Sequence, residues 1–289
     1  MANQVESTRY KLGARTVSRI GYGAMQLAGP NAFGPPTDRK AAVAVLREAI
    51  ERGVDHIDTS DIYGPHTTNE VIREALHPYR DGVLIATKVG AVRGPGGSWE
   101  AAFSASDIER AVHDNLRNLA LDVLELVNLR VMFSAMGPAE GSIAAPLAAL
   151  AALQRRGLVR HIGLSNVTPA QIEEARGIVE IVCVQNHFNV AHRRDDAIVD
   201  ELAARGVAYV PFFPLGGFSP VQSALLDAVA ARRGATPMQV ALAWLLRRSP
   251  NILLIPGTKT LAHLRENLAS ASVELSDDDV RALGRIARG

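Results

Sequence analysis

Eight short runs of aliphatic and β-branched residues recur along this chain, and longer helical patterns separate them. The runs are 20–23, 56–58, 83–87, 123–129, 162–165, 181–185, 208–213 and 252–255. Most are apolar throughout rather than alternating, as parallel strands buried on both faces require. Helical patterns cover 39–50, 110–119, 143–156, 168–178, 194–205, 236–248 and 260–269. Asp38 precedes the first and Gly53 closes it, while Ser106 and Glu109 form a capping box ahead of the second. Strands alternating with helices point to a closed (β/α)8 TIM barrel, an α/β fold that often reaches about 250 residues as one unit. Residues 1–289 are therefore expected to form a single domain.

A doubly wound sheet is the alternative, and two features disfavour it. The best glycine cluster, Gly21-Tyr-Gly-Ala-Met-Gln26, has no small residue where a third dinucleotide-binding glycine belongs. No helix starts there either, because Gly29-Pro30 and Pro35-Pro36 intervene before position 38. Outside the alternation, 8–18 reads as a β-hairpin with Gly13 at the turn, placed to plug one barrel end. Residues 276–287 read as a final helix capped by Ser276 and Asp279. The segment 89–105, centred on Gly94-Pro-Gly-Gly97, reads as a long loop of the kind that is functional or mobile.

Composition narrows the function classes. An apolar fraction of 47% supplies a core, and 31 basic against 30 acidic residues leave no global field for a nucleic acid. The single cysteine, Cys183, excludes an internal disulfide framework and a four-cysteine metal site. No His-x-His or carboxylate cluster falls on a strand end, so no metal is expected. The first residues lack a signal-peptide pattern, and no run of about 18 apolar residues could span a bilayer. A cytoplasmic protein follows, with a monomer or weak homo-oligomer expected.

Barrel enzymes carry their chemistry on the C-terminal ends of the strands. Asp58, Lys88, Arg130, Ser165-Asn166, Gln185-Asn186, Phe212-Phe213 and Pro256-Gly257 all fall there. Each has a structural reading alone: Asp58 and Lys88 as an ordinary ion pair, Tyr63 as a rim aromatic, Gln185 and Asn186 as caps of strand ends. Together they suggest more. A phenol has a pKa of roughly 10, an adjacent ammonium favours its ionised form, and a carboxylate can hold that ammonium in place. Asp58, Tyr63 and Lys88 thus make a candidate proton donor to a substrate oxygen.

The motifs around these residues resemble those of the aldo-keto reductases over nearly the whole chain. The matching segments are Gly53-Val-Asp-His-Ile-Asp-Thr-Ser-Asp-Ile-Tyr-Gly64, Ala86-Thr-Lys-Val-Gly90, Ile162-Gly-Leu-Ser-Asn166, Val184-Gln-Asn186, Pro214-Leu-Gly216, Ile255-Pro-Gly257 and Arg265-Glu-Asn267. The resemblance implies NAD(P)H bound across the barrel mouth, hydride transfer to a carbonyl carbon, and Tyr63 as general acid tuned by Lys88 and Asp58. It implies that Ser165, Asn166 and Gln185 hold the nicotinamide carboxamide and that Phe212 stacks on its ring. Pro214, Leu215 and Gly257 fall in matching cofactor-binding segments, and Glu266 and Asn267 match residues at the adenine end. Thr258 and Lys259 suit a 2′-phosphate, with His263 where arginine or glutamine is common, so NADPH is expected rather than NADH. Met25, Trp99, Met132 and Phe218 are the apolar candidates for a pocket that takes an aromatic or medium-sized aldehyde or ketone.

One position departs from the pattern. Where such reductases place a histidine, Leu121-Asp-Val-Leu-Glu-Leu-Val-Asn-Leu-Arg130 ends in arginine. Arg130 can donate to a carbonyl oxygen and carries a permanent charge. It is read as a working substitute, with recognition of an anionic substrate group and a weakened activity as the alternatives. Pyridoxal, whose phenolate lies beside its aldehyde, would fit the second. His66 and His187 are the only histidines near the mouth that could compensate. The rival from another class is a nicotinamide-binding regulatory or partner protein with weak or no turnover.

Overall fold

Pairing in the barrel follows from where apolar side chains must go. The computed structural model describes residues 8–135, 137–217 and 219–286. Strands β1 (Arg9–Leu12) and β2 (Arg15–Ser18) form an antiparallel hairpin. A parallel sheet begins with β3 (Tyr22–Gly23), β4 (His56–Asp58) and β5 (Leu84–Val89). A second hairpin, β6 (Ala91–Arg93) with β7 (Trp99–Ala101), interrupts it. The sheet resumes with β8 (Leu124–Arg130), β9 (Val159–Ser165), β10 (Ile181–Gln185) and β11 (Ala208–Tyr209). Its order is β11-β10-β9-β8-β5-β4-β3.

The eighth run closes the ring without becoming a regular strand. Ile252 bridges to Tyr209 at one edge and Leu254 to Ile20 at the other, both in parallel. Leu253 N donates to Tyr209 O at 2.9 Å, and Gly21 N donates to Leu254 O at 2.8 Å. Pro256 has no N–H and interrupts the ladder, which resumes with a parallel bridge from Gly257 to Gly23. The (β/α)8 barrel expected from the alternation is the fold observed.

Helices cover the outside, and local chemistry sets bounds that differ from the expected ones. The helix Ala105–Leu119 is capped by Ser104, which accepts from Asp107 N at 3.1 Å, and not by Ser106. The earlier start brings Ile108 into the core alongside Val112 and Leu119. Helices Thr67–Leu76 and Ala224–Arg233 were not individually expected; the first buries Val71 and Ile72 as its apolar residues, and the second is alanine-rich and buries Leu226, Val229 and Ala230. The last helix spans Asp277–Leu283 with its Ser276–Asp279 capping box intact, stops before Gly284, and leaves position 287 outside the described residues. The expected loop 89–105 contains the β6–β7 hairpin, whose turn uses Gly96 and Gly97 at φ 72° and 84°.

The first hairpin does seal one end of the barrel. Leu12 and Val17, each 1% exposed, pack on Leu84, Leu126, Cys183, Ala208 and Leu253, the side chains that fill the barrel floor. Gly13 turns at φ 63°, and a Cβ there would stand 2.5 Å from the His161 ring. That ring accepts from Ala14 N at 3.0 Å. Leu12→Ala leaves a cavity under the strands and should lower unfolding stability by about 2–5 kcal/mol in a denaturant titration. Because the mouth is at the opposite end, catalytic constants of the folded variant should stay near wild type.

Candidate active site

Parallel pairing delivers the polar strand ends to one rim. Asp58, Lys88, Arg130, Ser165 and Gln185 close β4, β5, β8, β9 and β10, or fall one residue short of the end in the case of Lys88. Lys88 Nζ donates to Asp58 Oδ1 at 2.6 Å and to Thr59 O at 2.9 Å. Gln185 Nε2 donates to Asp58 Oδ2 at 2.8 Å, so both carboxylate oxygens are occupied. Tyr63 is 7% exposed, and Lys88 Nζ lies 5.3 Å from its ring centroid. Burial pulls the ammonium's pKa down, but Asp58 and then Tyr63 outweigh it and hold Lys88 above the usual lysine range. The three residues expected to act together are together.

A buried polar network lies beneath this trio, and sequence reading missed it. Thr59 Oγ1 donates to Asn69 Oδ1 at 2.8 Å, and Asn69 Nδ2 donates to Asp61 Oδ1 and to Asn115 Oδ1, both at 3.0 Å. Thr87 Oγ1 also donates to Asn115 Oδ1. The network fixes the Thr59 carbonyl that receives Lys88. Its one sequence signal was Asn115, a polar residue on the apolar stripe of Ile108, Val112 and Leu119. His66 belongs to the same network, with Nδ1 2.6 Å from Asp61 Oδ2. His187 lies behind Phe212, with the rings 5.7 Å apart and 16° from parallel. Burial first, then His192 and Arg194, push its pKa down to about 4, so its ring is neutral at physiological pH.

Arg130 differs from Lys88 in its partners. Its Nη1 donates to Ser165 Oγ at 3.2 Å, and its Cζ lies 4.9 Å from the Phe212 ring centroid. Among the described residues no carboxylate forms an ion pair with it. Burial pulls its pKa below the ordinary arginine range, while Tyr63 and Asp58 oppose that pull. Guanidinium groups remain charged in proteins at neutral pH, so the rim carries two cations against Asp58.

A cavity of ≈ 160 Å³ opens at the mouth, lined by Met25, Tyr63, Phe212, Pro214, Leu215 and Gly257, with Asp58 and Gln185 at its base. Trp99 meets the Tyr63 ring edge-on at 6.4 Å, and Arg93 Cζ lies 4.2 Å from the Trp99 ring. Met132 is buried two residues past Arg130 and is not among the side chains lining this cavity. Phe218 lies outside the described residues. Lys259 and His263 are exposed beyond Gly257, on the approach to and first turn of the helix Leu261–Ala269. Thr258 is buried and its hydroxyl accepts from Thr260 N at 3.1 Å. Asn267 is buried on the same helix, and Glu266 accepts from the Thr236 hydroxyl of a neighbouring cap.

Two buried acceptors bear on what could bind. Asn166, at φ 62°, uses its Nδ2 to hold the Val131 and Ser134 carbonyls, at 2.8 and 3.1 Å. Its Oδ1 has no partner, and neither does Gln185 Oε1. Buried acceptors of this kind are costly unless something donates to them. The NH2 of a carboxamide is a suitable donor, so this pair of acceptors fits a nicotinamide. A metal has no comparable site: no group of three or more His, Cys, Asp or Glu could hold one among the described residues. Cys183 is a core thiol that burial pushes up to about 12.

Comparison with known proteins gives concordant matches. A family model described as the aldo/keto reductase family matches residues 19–288. Pyridoxine 4-dehydrogenase of Escherichia coli is 64% identical over 285 residues, covering 98% of this chain and all of that protein. Among solved structures, a thermostable aldo-keto reductase in complex with the inhibitor epalrestat superimposes with a TM-score of 0.82 at 28% identity, covering 96% of this chain and 99% of that one. An aldo/keto reductase from Klebsiella pneumoniae, solved with NADP and acetate, gives 0.80 at 22% identity, covering 97% and 95%.

Proposed function

The chain belongs to the aldo/keto reductase family, and we propose that it interconverts a pyridoxal-type aromatic aldehyde and its alcohol using NADPH. The observation that carries this reading is the buried Asp58–Lys88–Tyr63 group at a cavity that Gln185 also lines, with the side-chain oxygens of Gln185 and Asn166 unpartnered. When bound, the cofactor supplies a hydride to the carbonyl carbon. Tyr63 donates its phenolic proton to the carbonyl oxygen, and Lys88, held by Asp58, stabilises the phenolate left behind. Arg130 donates an N–H to the same oxygen in place of the usual imidazole. Asn166 Oδ1 and Gln185 Oε1 would accept from the carboxamide with Ser165 beside them, and Phe212 would support the ring. Pro214, Leu215, Gly257, Glu266 and Asn267 would hold the rest of the cofactor.

The substrate class is supported by the relative at 64% identity, which is named for acting on pyridoxine. Pyridoxal carries a ring hydroxyl beside its aldehyde, and its phenolate is a natural neighbour for a guanidinium. Met25 supplies apolar wall for the ring, and Trp99, edge-on to Tyr63, borders it. NADPH oxidation by wild type against a panel of carbonyls that includes pyridoxal tests the proposal. Turnover of other aldehydes but not pyridoxal would remove the substrate class. Tight NADPH binding with no turnover of any carbonyl would favour the partner-protein alternative. The family model spans nearly the whole chain, which supports one catalytic unit. A cytoplasmic monomer or weak homo-oligomer is proposed from the sequence.

Preference for NADPH rests on Lys259, an exposed ammonium beside the N-terminus of the helix Leu261–Ala269, where backbone N–H groups also favour phosphate. Lys259→Ala should weaken NADPH binding by about tenfold, the loss of one charge-assisted contact, and leave NADH unchanged. Dissociation constants of the two cofactors measure this. Unaltered discrimination would exclude Lys259.

A further inference from the structure

We infer that Arg130 makes the nicotinamide subsite discriminate between the redox states of its cofactor, weakening its hold on the oxidised form. The inference rests on the cofactor reading above and goes beyond it. The guanidinium already touches the two groups which that reading gives to the nicotinamide. It donates to Ser165 Oγ at 3.2 Å, where the carboxamide would bind, and lies 4.9 Å from the Phe212 ring, where the pyridine ring would stack. Ring and guanidinium therefore compete for one small volume. Docking of the ring must displace the side chain, and its tether at Arg130 Cα keeps the charge near the subsite.

Among the described residues that charge has no ion-pair partner of its own, and Asp58 acts on it only through space. Asp58, the carboxylate at the rim, has one oxygen on Lys88 and the other on Gln185. No carboxylate pairs with Arg130 among the described residues. On the opposite side, Phe212 is backed by His187, which stacks on His192 with 4.0 Å between ring centres. His187 stays neutral at physiological pH and adds nothing to the balance. Lys88 and Arg130 thus face the subsite with one carboxylate between them.

The two forms of the cofactor respond differently to such a field. The reduced nicotinamide is an uncharged dihydropyridine, whereas the oxidised one is a pyridinium cation. A fixed unit charge about 5 Å from a second one, screened as protein sites screen such pairs, changes a binding constant by about tenfold or more. The repulsion acts on NADP+ alone, so it speeds departure of the spent cofactor, while the overall equilibrium between aldehyde and alcohol is unchanged. A neutral histidine at this position would exert no such bias.

The test is direct titration of the full-length protein with NADPH and with NADP+, by calorimetry, with no carbonyl substrate present. Arg130→Gln removes the charge while keeping hydrogen-bond donors, Arg130→Met is a second neutral variant, and Arg130→Lys keeps the charge. Wild type should bind NADPH more tightly than NADP+. Both neutral variants should lower that ratio by about tenfold, chiefly through tighter NADP+ binding, and Arg130→Lys should leave it near wild type. An unchanged ratio in folded Arg130→Gln and Arg130→Met would overturn the inference while leaving the cofactor reading in place. An equal fall in Arg130→Lys would overturn it as well, because charge would then not be the cause. Failure of wild type to bind either form would sink the cofactor reading and the inference with it.

Discussion

Tyr63→Phe is expected to lower kcat for carbonyl reduction by about 10²- to 10⁴-fold, the usual contribution of a positioned general acid. The substitution is well suited to isolate that contribution. Tyr63 is nearly buried, its ring meets the edge of Trp99, and phenylalanine keeps the ring while deleting only the hydroxyl. Packing should therefore survive, as should cofactor affinity, which draws on Ser165, Asn166, Gln185 and Phe212. Steady-state kinetics with NADPH and an aldehyde, alongside NADPH binding, separate the two. A variant with undiminished kcat would show that protonation comes from elsewhere, and the proton-donor role of the trio would have to be abandoned.

Lys88→Met should produce a double loss, of activity and of stability. Removing the ammonium leaves Asp58 buried with only Gln185 as a hydrogen-bond donor. Breaking a buried ion pair from one side costs about 3–5 kcal/mol, because the surviving charge has left water without compensation. Adding Asp58→Asn to Lys88→Met removes that stranded charge, and urea denaturation should show most of the stability restored. Activity should stay lost in the double variant, since nothing remains to stabilise a phenolate at Tyr63. Recovery of turnover together with stability would mean that the pair holds the barrel and takes no part in the chemistry.

The barrel could be read from the sequence because its logic is local. A parallel strand buried on both faces must be apolar along its length, and each run here advertises that by itself. The polar residues that end those runs, Asp58, Lys88, Arg130, Ser165 and Gln185, were visible for the same reason. What escaped was either too regular to stand out or too distant to connect. Thr67–Leu76 buries only Val71 and Ile72 as apolar residues, and Ala224–Arg233 is largely apolar with little contrast between its faces, so neither stood out. Ser104 and Ser106 offer two cap registers, and burial of Ile108 selects between them only in the folded chain. The link from Asn69 to Asn115 joins positions 46 residues apart, which no spacing rule reveals. Arg130 was legible as a departure, but its seat between Ser165 and Phe212 was not, because side-chain direction at a strand end depends on three neighbouring strands.

The β1–β2 hairpin has a practical bearing that the chemistry does not touch. It seats Leu12 and Val17 under the barrel floor, away from the cavity bounded by Tyr63 and Phe212. A tether joined ahead of Arg9 would leave the molecule from the underside. An enzyme immobilised that way would present its open mouth to the bulk solution, and every copy on the support would face the reactants.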